Sequence, residues 1–128
     1  MAWQEIGDRV FTRKYPFFNQ QIGVVLGGSD VLVVDTRSTP AQAREIASEL
    51  RELTRDPVSI VVDTHWHFDH SFGNSVFRPA TIWGHIRAAE QLRREGAATI
   101  GGDYCIQRTR TQVMLSGPPF SLALSIRR

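Results

Sequence analysis

Apolar and polar positions change rhythm along the chain. Near the start, Glu5 with Ile6 and Val10 with Phe11 flank Gly7 and Asp8, and two such pairs around a turn dipeptide predict a hairpin. Residues 21–26 form an apolar-rich run. Gly27, Gly28, Ser29 and Asp30 then supply turn chemistry, and VLVV (Val31–Val34) is a second run. Runs joined by so short a turn predict an antiparallel pair. The unbroken apolar character of VLVV predicts cover on both faces of the sheet.

The period then becomes helical. Over residues 40–53, Ala43, Ile46, Ala47, Leu50 and Leu53 recur at helical spacing, behind Ser38 or Thr39 as cap and Pro40 in first position. Residues 54–57 break the helix, and Val58–Val62 reads as a third buried strand. Strand, helix, strand in this order predicts a parallel βαβ unit with a right-handed crossover. A short helix within residues 71–77, a strand at 81–83 and an amphipathic helix over 86–95, ended by Gly96, follow. Past Thr99 there is no clear period, no repeat and no low-complexity block.

Composition narrows the class. A length of 128 residues suits one domain with a real core, and 41% hydrophobic with 22% charged residues reads as globular. No apolar run approaches the ~20 residues of a membrane span. The first residues lack the basic-then-apolar pattern of a secretory leader, and one cysteine, Cys105, allows no intrachain disulfide. A cytoplasmic setting is expected. Residues 1–104 carry eleven basic and thirteen acidic side chains, whereas 105–128 carry four arginines and no acid. Without aromatic interleaving, the basic stretch reads as a solvated tail, and neither nucleic acid nor membrane is expected as partner.

The candidate chemistry lies in VVDTHWHFDHSFGN, residues 61–74. It falls just past the carboxyl end of the third predicted strand, where open α/β sheets place their sites. Neutral imidazoles with a carboxylate suit zinc, and also iron or manganese. His65, His67, Asp69 and His70 are four donors in six residues, too close in sequence to encircle one ion easily. They can divide between two ions, His65 and His67 on one, Asp69 and His70 on the other. A pair of ions roughly 3.5–4 Å apart can polarise an electrophile and hold a hydroxide. His85, alone after a short strand, reads as a structural, hydrogen-bonded histidine. Cys105 reads as an incidental thiol, Trp66 and Phe68 as core or pocket wall, and Trp83 as core.

The stretch from His65 to Gly73 matches H-x-H-x-D-H-x-x-G. Together with VLVVDT (residues 31–36) and the helix, strand and Trp83 to His85 segment in the same order, it resembles the metallo-β-lactamase superfamily over about residues 3 to 95. The resemblance implies an α/β (α+β) fold: half of an αββα sandwich, a mixed sheet with helices on one face. Residues 1–104 would be the N-terminal half and 105–128 a divergent tail. It implies His65 and His67 on a first metal, Asp69 and His70 on a second, Asp69 as the catalytic residue assisting proton transfer, and Asp35 as a supporting residue. Asp63 and Thr64 would orient the imidazoles by hydrogen bonds. The implied cofactor is Zn2+, up to two ions, with iron or manganese as alternatives. The implied reaction is hydrolysis of a small-molecule ester, thioester, lactone or β-lactam bond by a metal-bound hydroxide.

The family draws further ligands from downstream segments, including a Gly-His-Ser/Thr stretch. Here no histidine follows His85, and the acids after Asp69 are Glu90, Glu95 and Asp103. Little or no turnover is therefore expected, along with exposed apolar surface on VLVV and VSIVV. Three origins fit: a truncated or frame-shifted product; one half of an assembly, as a homodimer or with a complementing chain; or a small non-catalytic metal-binding or interaction module.

Overall fold

The computed structural model describes residues 2–92, 94 and 111–114. Seven strands among them form one mixed sheet in chain order: β1 (Gln4–Gly7), β2 (Val10–Tyr15), β3 (Gln20–Leu26), β4 (Val31–Val34), β5 (Val58–Val62), β6 (Thr81–His85) and β7 (Thr111–Met114). β1 to β4 pair antiparallel through short turns. From β4 onward the pairing is parallel. The predicted hairpin, antiparallel pair and βαβ unit are all present.

The pleat sorts the side chains. Ile22, Val24, Val31, Val33, Val61 and Ile82 are buried on one face, where α1 (Pro40–Glu49) lays Ala43 and Ile46. Each such aliphatic side chain contributes about 1.5–3 kcal/mol by leaving water. Thr39 caps α1, its hydroxyl oxygen accepting from Gln42 N at 3.2 Å, and Pro40 takes the first position. The helix tightens after Glu49 into a 3₁₀ turn, Leu50–Glu52, that keeps Leu50 in the core. The expected helix over 40–53 is thus one α-helix and one 3₁₀ turn.

The opposite face is less covered. Leu32, Val34, Ile60, Val62 and Trp83 are half-buried there and Val25 is exposed. VLVV therefore alternates buried with half-buried instead of being covered on both sides, because α1 lies over only one face. Trp83, expected in the core, is half-buried on the face opposite α1.

Further on, the expected helix within 71–77 is replaced by α2 (Phe68–Ser71) and a 3₁₀ turn, Asn74–Phe77. The strand expected at 81–83 runs to His85 and leads into α3 (Ile86–Gln91). β7 extends the sheet from a stretch that showed no period. Gly96, Cys105 and, apart from β7, the basic tail lie outside the described residues. Among the described residues no helix is long and apolar enough to cross a membrane.

Candidate metal centre

The parallel strands end side by side. Asp35 N continues the ladder to Val62 O at 2.9 Å, and Asp63 N to Trp83 O at 2.8 Å. Beyond β4 the chain passes through two left-handed residues, Asp35 (φ 65°) and Arg37 (φ 66°). A short polar side chain tolerates that conformation better than most. The kink tucks the Asp35 carboxylate, only 4% exposed, beneath the next strand end. It accepts from Thr64 N at 2.8 Å and Thr64 Oγ1 at 2.8 Å, and lies 2.8 Å from His70 Nδ1.

Those bonds place a proton on two Nδ1 atoms. A carboxylate only accepts, so His70 Nδ1 carries the proton it donates to Asp35. The Thr64 hydroxyl spends its proton on Asp35, so at 2.9 Å it accepts from His65 Nδ1. His65 is left with a bare Nε2, the form that binds a metal, whereas His70 Nε2 faces the Asp69 carboxylate. Burial, reinforced by the nearby His70 and His67, lowers the His65 pKa against the opposing pull of Asp35 and Asp69. That favours the neutral, ligating form.

Asp69 and His70 ride on α2, whose first turn is secured by His67 O accepting from His70 N and Ser71 N at 3.0 and 3.2 Å. The rings gather: His65 lies 4.7 Å from His67 and 4.0 Å from His70 between centroids, and His70 Nε2 is 3.2 Å from Asp69 Oδ2. Among the described residues, however, no three His, Cys, Asp or Glu side chains are already disposed around one ion. The donor set fits a divalent metal in chemistry, but as partial coordination.

Asp63 does not meet the expectation that it orients an imidazole. Strand alternation turns it inward, where Oδ2 accepts from Asn74 Nδ2 at 2.7 Å and Oδ1 is buried without a hydrogen-bond partner. Burial, with some repulsion from Asp35 and against the Asn74 bond, pushes its pKa up to about 8. His85 acts as expected of a structural histidine, its Nδ1 accepting from Arg87 N at 3.2 Å to cap α3. Trp66 is half-buried. Phe68, at 42% exposed, is not core; it contacts Phe18 edge-on at 5.4 Å.

Three supporting residues escaped the sequence reading. Thr36 N donates to His70 O at 2.7 Å, Asn74 bridges Thr36 and Asp63, and Gln20 Nε2 donates to Asp69 O at 2.8 Å. For Gln20 a signal existed: it shares the inward face of its strand with Ile22 and Val24, a polar residue on an apolar stripe.

A family model described as the metallo-beta-lactamase superfamily matches residues 15–99. Solved structures agree in fold. MEM-A1, a subclass B3 metallo-beta-lactamase from a soil metagenome library, superposes with a TM-score of 0.67 at 17% identity, covering 92% of this chain and 47% of its own. A metallo-beta-lactamase from Hirschia baltica gives 0.67 at 15% identity, covering 91% and 53%. TMB-1 gives 0.64 at 17% identity, covering 90% and 52%. The chain thus spans about half the length of the structures it matches.

Proposed function

Because the chain belongs to the metallo-beta-lactamase superfamily, we propose that it carries the metal-binding loop of a zinc-dependent hydrolase of small carbonyl-type substrates. The carrying observation is the gathering of His65, His67 and His70 at the strand ends, with the Nδ1 atoms of His65 and His70 anchored by Thr64 and Asp35. His65 and His67 form one half-site, and Asp69 with His70 the other. A bound divalent ion supplies Lewis-acid polarisation of the substrate and a lowered pKa for water. The chain's own part is to aim the imidazoles through their anchored Nδ1 atoms, to favour the neutral form of His65, and to keep the Asp69 carboxylate beside His70 as a proton acceptor.

A second reading is a metal-binding module without turnover. It is favoured by the absence of any three-donor group among the described residues, since catalytic zinc commonly has three protein ligands. On this reading the isolated chain binds zinc and hydrolyses little.

Elemental analysis of a size-exclusion peak of the full chain, beside ester, thioester and β-lactam hydrolysis assays, separates the readings. Loss of the first zinc step in His67→Ala is expected either way. Turnover that His67→Ala removes selects the hydrolase, and uptake without turnover selects the module. A chain that takes up no zinc refutes both.

A further inference from the structure

We propose that Gln20 is a positioning residue for the metal loop, fixing the carbonyl of Asp69 and through it the aim of Asp69 and His70. The proposal rests on the metal-binding reading above. It starts from the brevity of α2. The last four carbonyls of any α-helix lack partners within the helix, so a helix of four residues is almost all ends and is not stable through its own ladder. Its carbonyls must be satisfied from elsewhere. His70 O is taken by Thr36 N at 2.7 Å, and Asp69 O by Gln20 Nε2 at 2.8 Å.

The Gln20 amide can serve in only one orientation. The residue is 2% exposed. Its second N–H donates to Ser38 Oγ at 2.7 Å, and Oε1 accepts from Arg37 Nε at 2.9 Å. Turning the amide over would set its NH2 against a guanidinium and its oxygen against a carbonyl oxygen, so the polarity is locked. Arg37 is itself held, by Glu45 at 2.6 Å and over the Tyr15 ring at 3.8 Å. A rigid chain of contacts therefore runs from β2 and α1 to the backbone of Asp69. Partners that orient metal ligands from behind are commonly worth 10–100-fold in affinity.

The test uses the full chain and zinc alone, titrated against a competing chelator. Gln20→Met keeps the length and loses every hydrogen bond; Gln20→Glu keeps the acceptor for Arg37 and loses both donors. Each is expected to weaken the Asp69-dependent binding step about tenfold or more and to leave the His65- and His67-dependent step unchanged. In an Asp69→Asn background, Gln20→Met should add nothing further. Leu50→Ala, a core truncation in the 3₁₀ turn after α1, serves as a control that lowers stability without moving either step. If Gln20→Met or Gln20→Glu destabilises the fold as Leu50→Ala does but leaves both steps unmoved, Gln20 is only a structural residue and the proposal is overturned. Failure of the wild-type chain to take up zinc sinks the underlying reading instead, before any variant is compared.

Discussion

Gly73 closes the H-x-H-x-D-H-x-x-G stretch, and Gly73→Ala tests why. Its backbone is ordinary, φ −90° and ψ −1°, so conformational freedom does not explain the glycine. By unfolded-state entropy alone, alanine there should stabilise by about 0.4–1 kcal/mol. Packing predicts the reverse. A Cβ would stand 2.1 Å from Thr36 O and 2.5 Å from Ala43 Cβ, far inside the ~3.5 Å of a comfortable non-bonded contact. The nearest atom is backbone and cannot rotate away. Overpacking costs about 1–3 kcal/mol. Moving Thr36 also strains its bonds to His70 O and Asn74 Oδ1, both 2.7 Å, at about 1 kcal/mol each. The net loss is about 3 kcal/mol. With a urea slope of about 1–3 kcal/mol/M, the unfolding midpoint should fall by about 1–3 M. Adding Ala43→Gly removes the 2.5 Å clash but leaves the carbonyl clash, so it should rescue little. A Gly73→Ala midpoint at or above wild type, or full rescue by Ala43→Gly, would refute the close-approach argument.

Two further predictions follow from the carboxylates. Asp35→Asn keeps a residue suited to φ 65° but replaces one oxygen of the acceptor facing Thr64 and His70; zinc affinity should drop about 10–100-fold, and unchanged affinity in a chelator competition would refute the tautomer assignment. Asp63 holds its proton up to about pH 8 in the fold, against an ordinary carboxyl value of 3.8, so its contribution to stability is complete below about pH 4, declines as pH rises and is gone above about pH 8. Urea midpoints of the metal-free Asp63→Asn chain should therefore gain on wild type between pH 5 and pH 8; a gap that shrinks with rising pH would count against a buried, protonated Asp63.

What the sequence made legible was what lies close together in it. The four donors fall within six residues, and the switch from apolar runs to helical spacing and back marks the βαβ unit. The supports were harder to read because their partners are distant: Gln20 reaches Asp69 across 49 positions and Thr36 reaches Asn74 across 38. α2 was missed because one turn carries no periodicity and is held by tertiary bonds. The apolar run of β4 could not reveal how far its second face is covered, since an apolar strand reads alike whether or not a layer lies over it.

The supports also divide the problem of binding from that of turnover. The hydrogen bonds that orient His65, His70 and the Asp69 carbonyl come from Thr64, Asp35, Thr36 and Gln20, all within β3 to the motif itself. Among the described residues, the supports of donor orientation thus all come from this segment. Completion of a coordination sphere is a different demand, since no three donors among the described residues surround one point. Preorganisation lowers the cost of holding each ligand but adds no ligands, so zinc affinity should respond to Asp35 and Gln20 even where hydrolysis is absent.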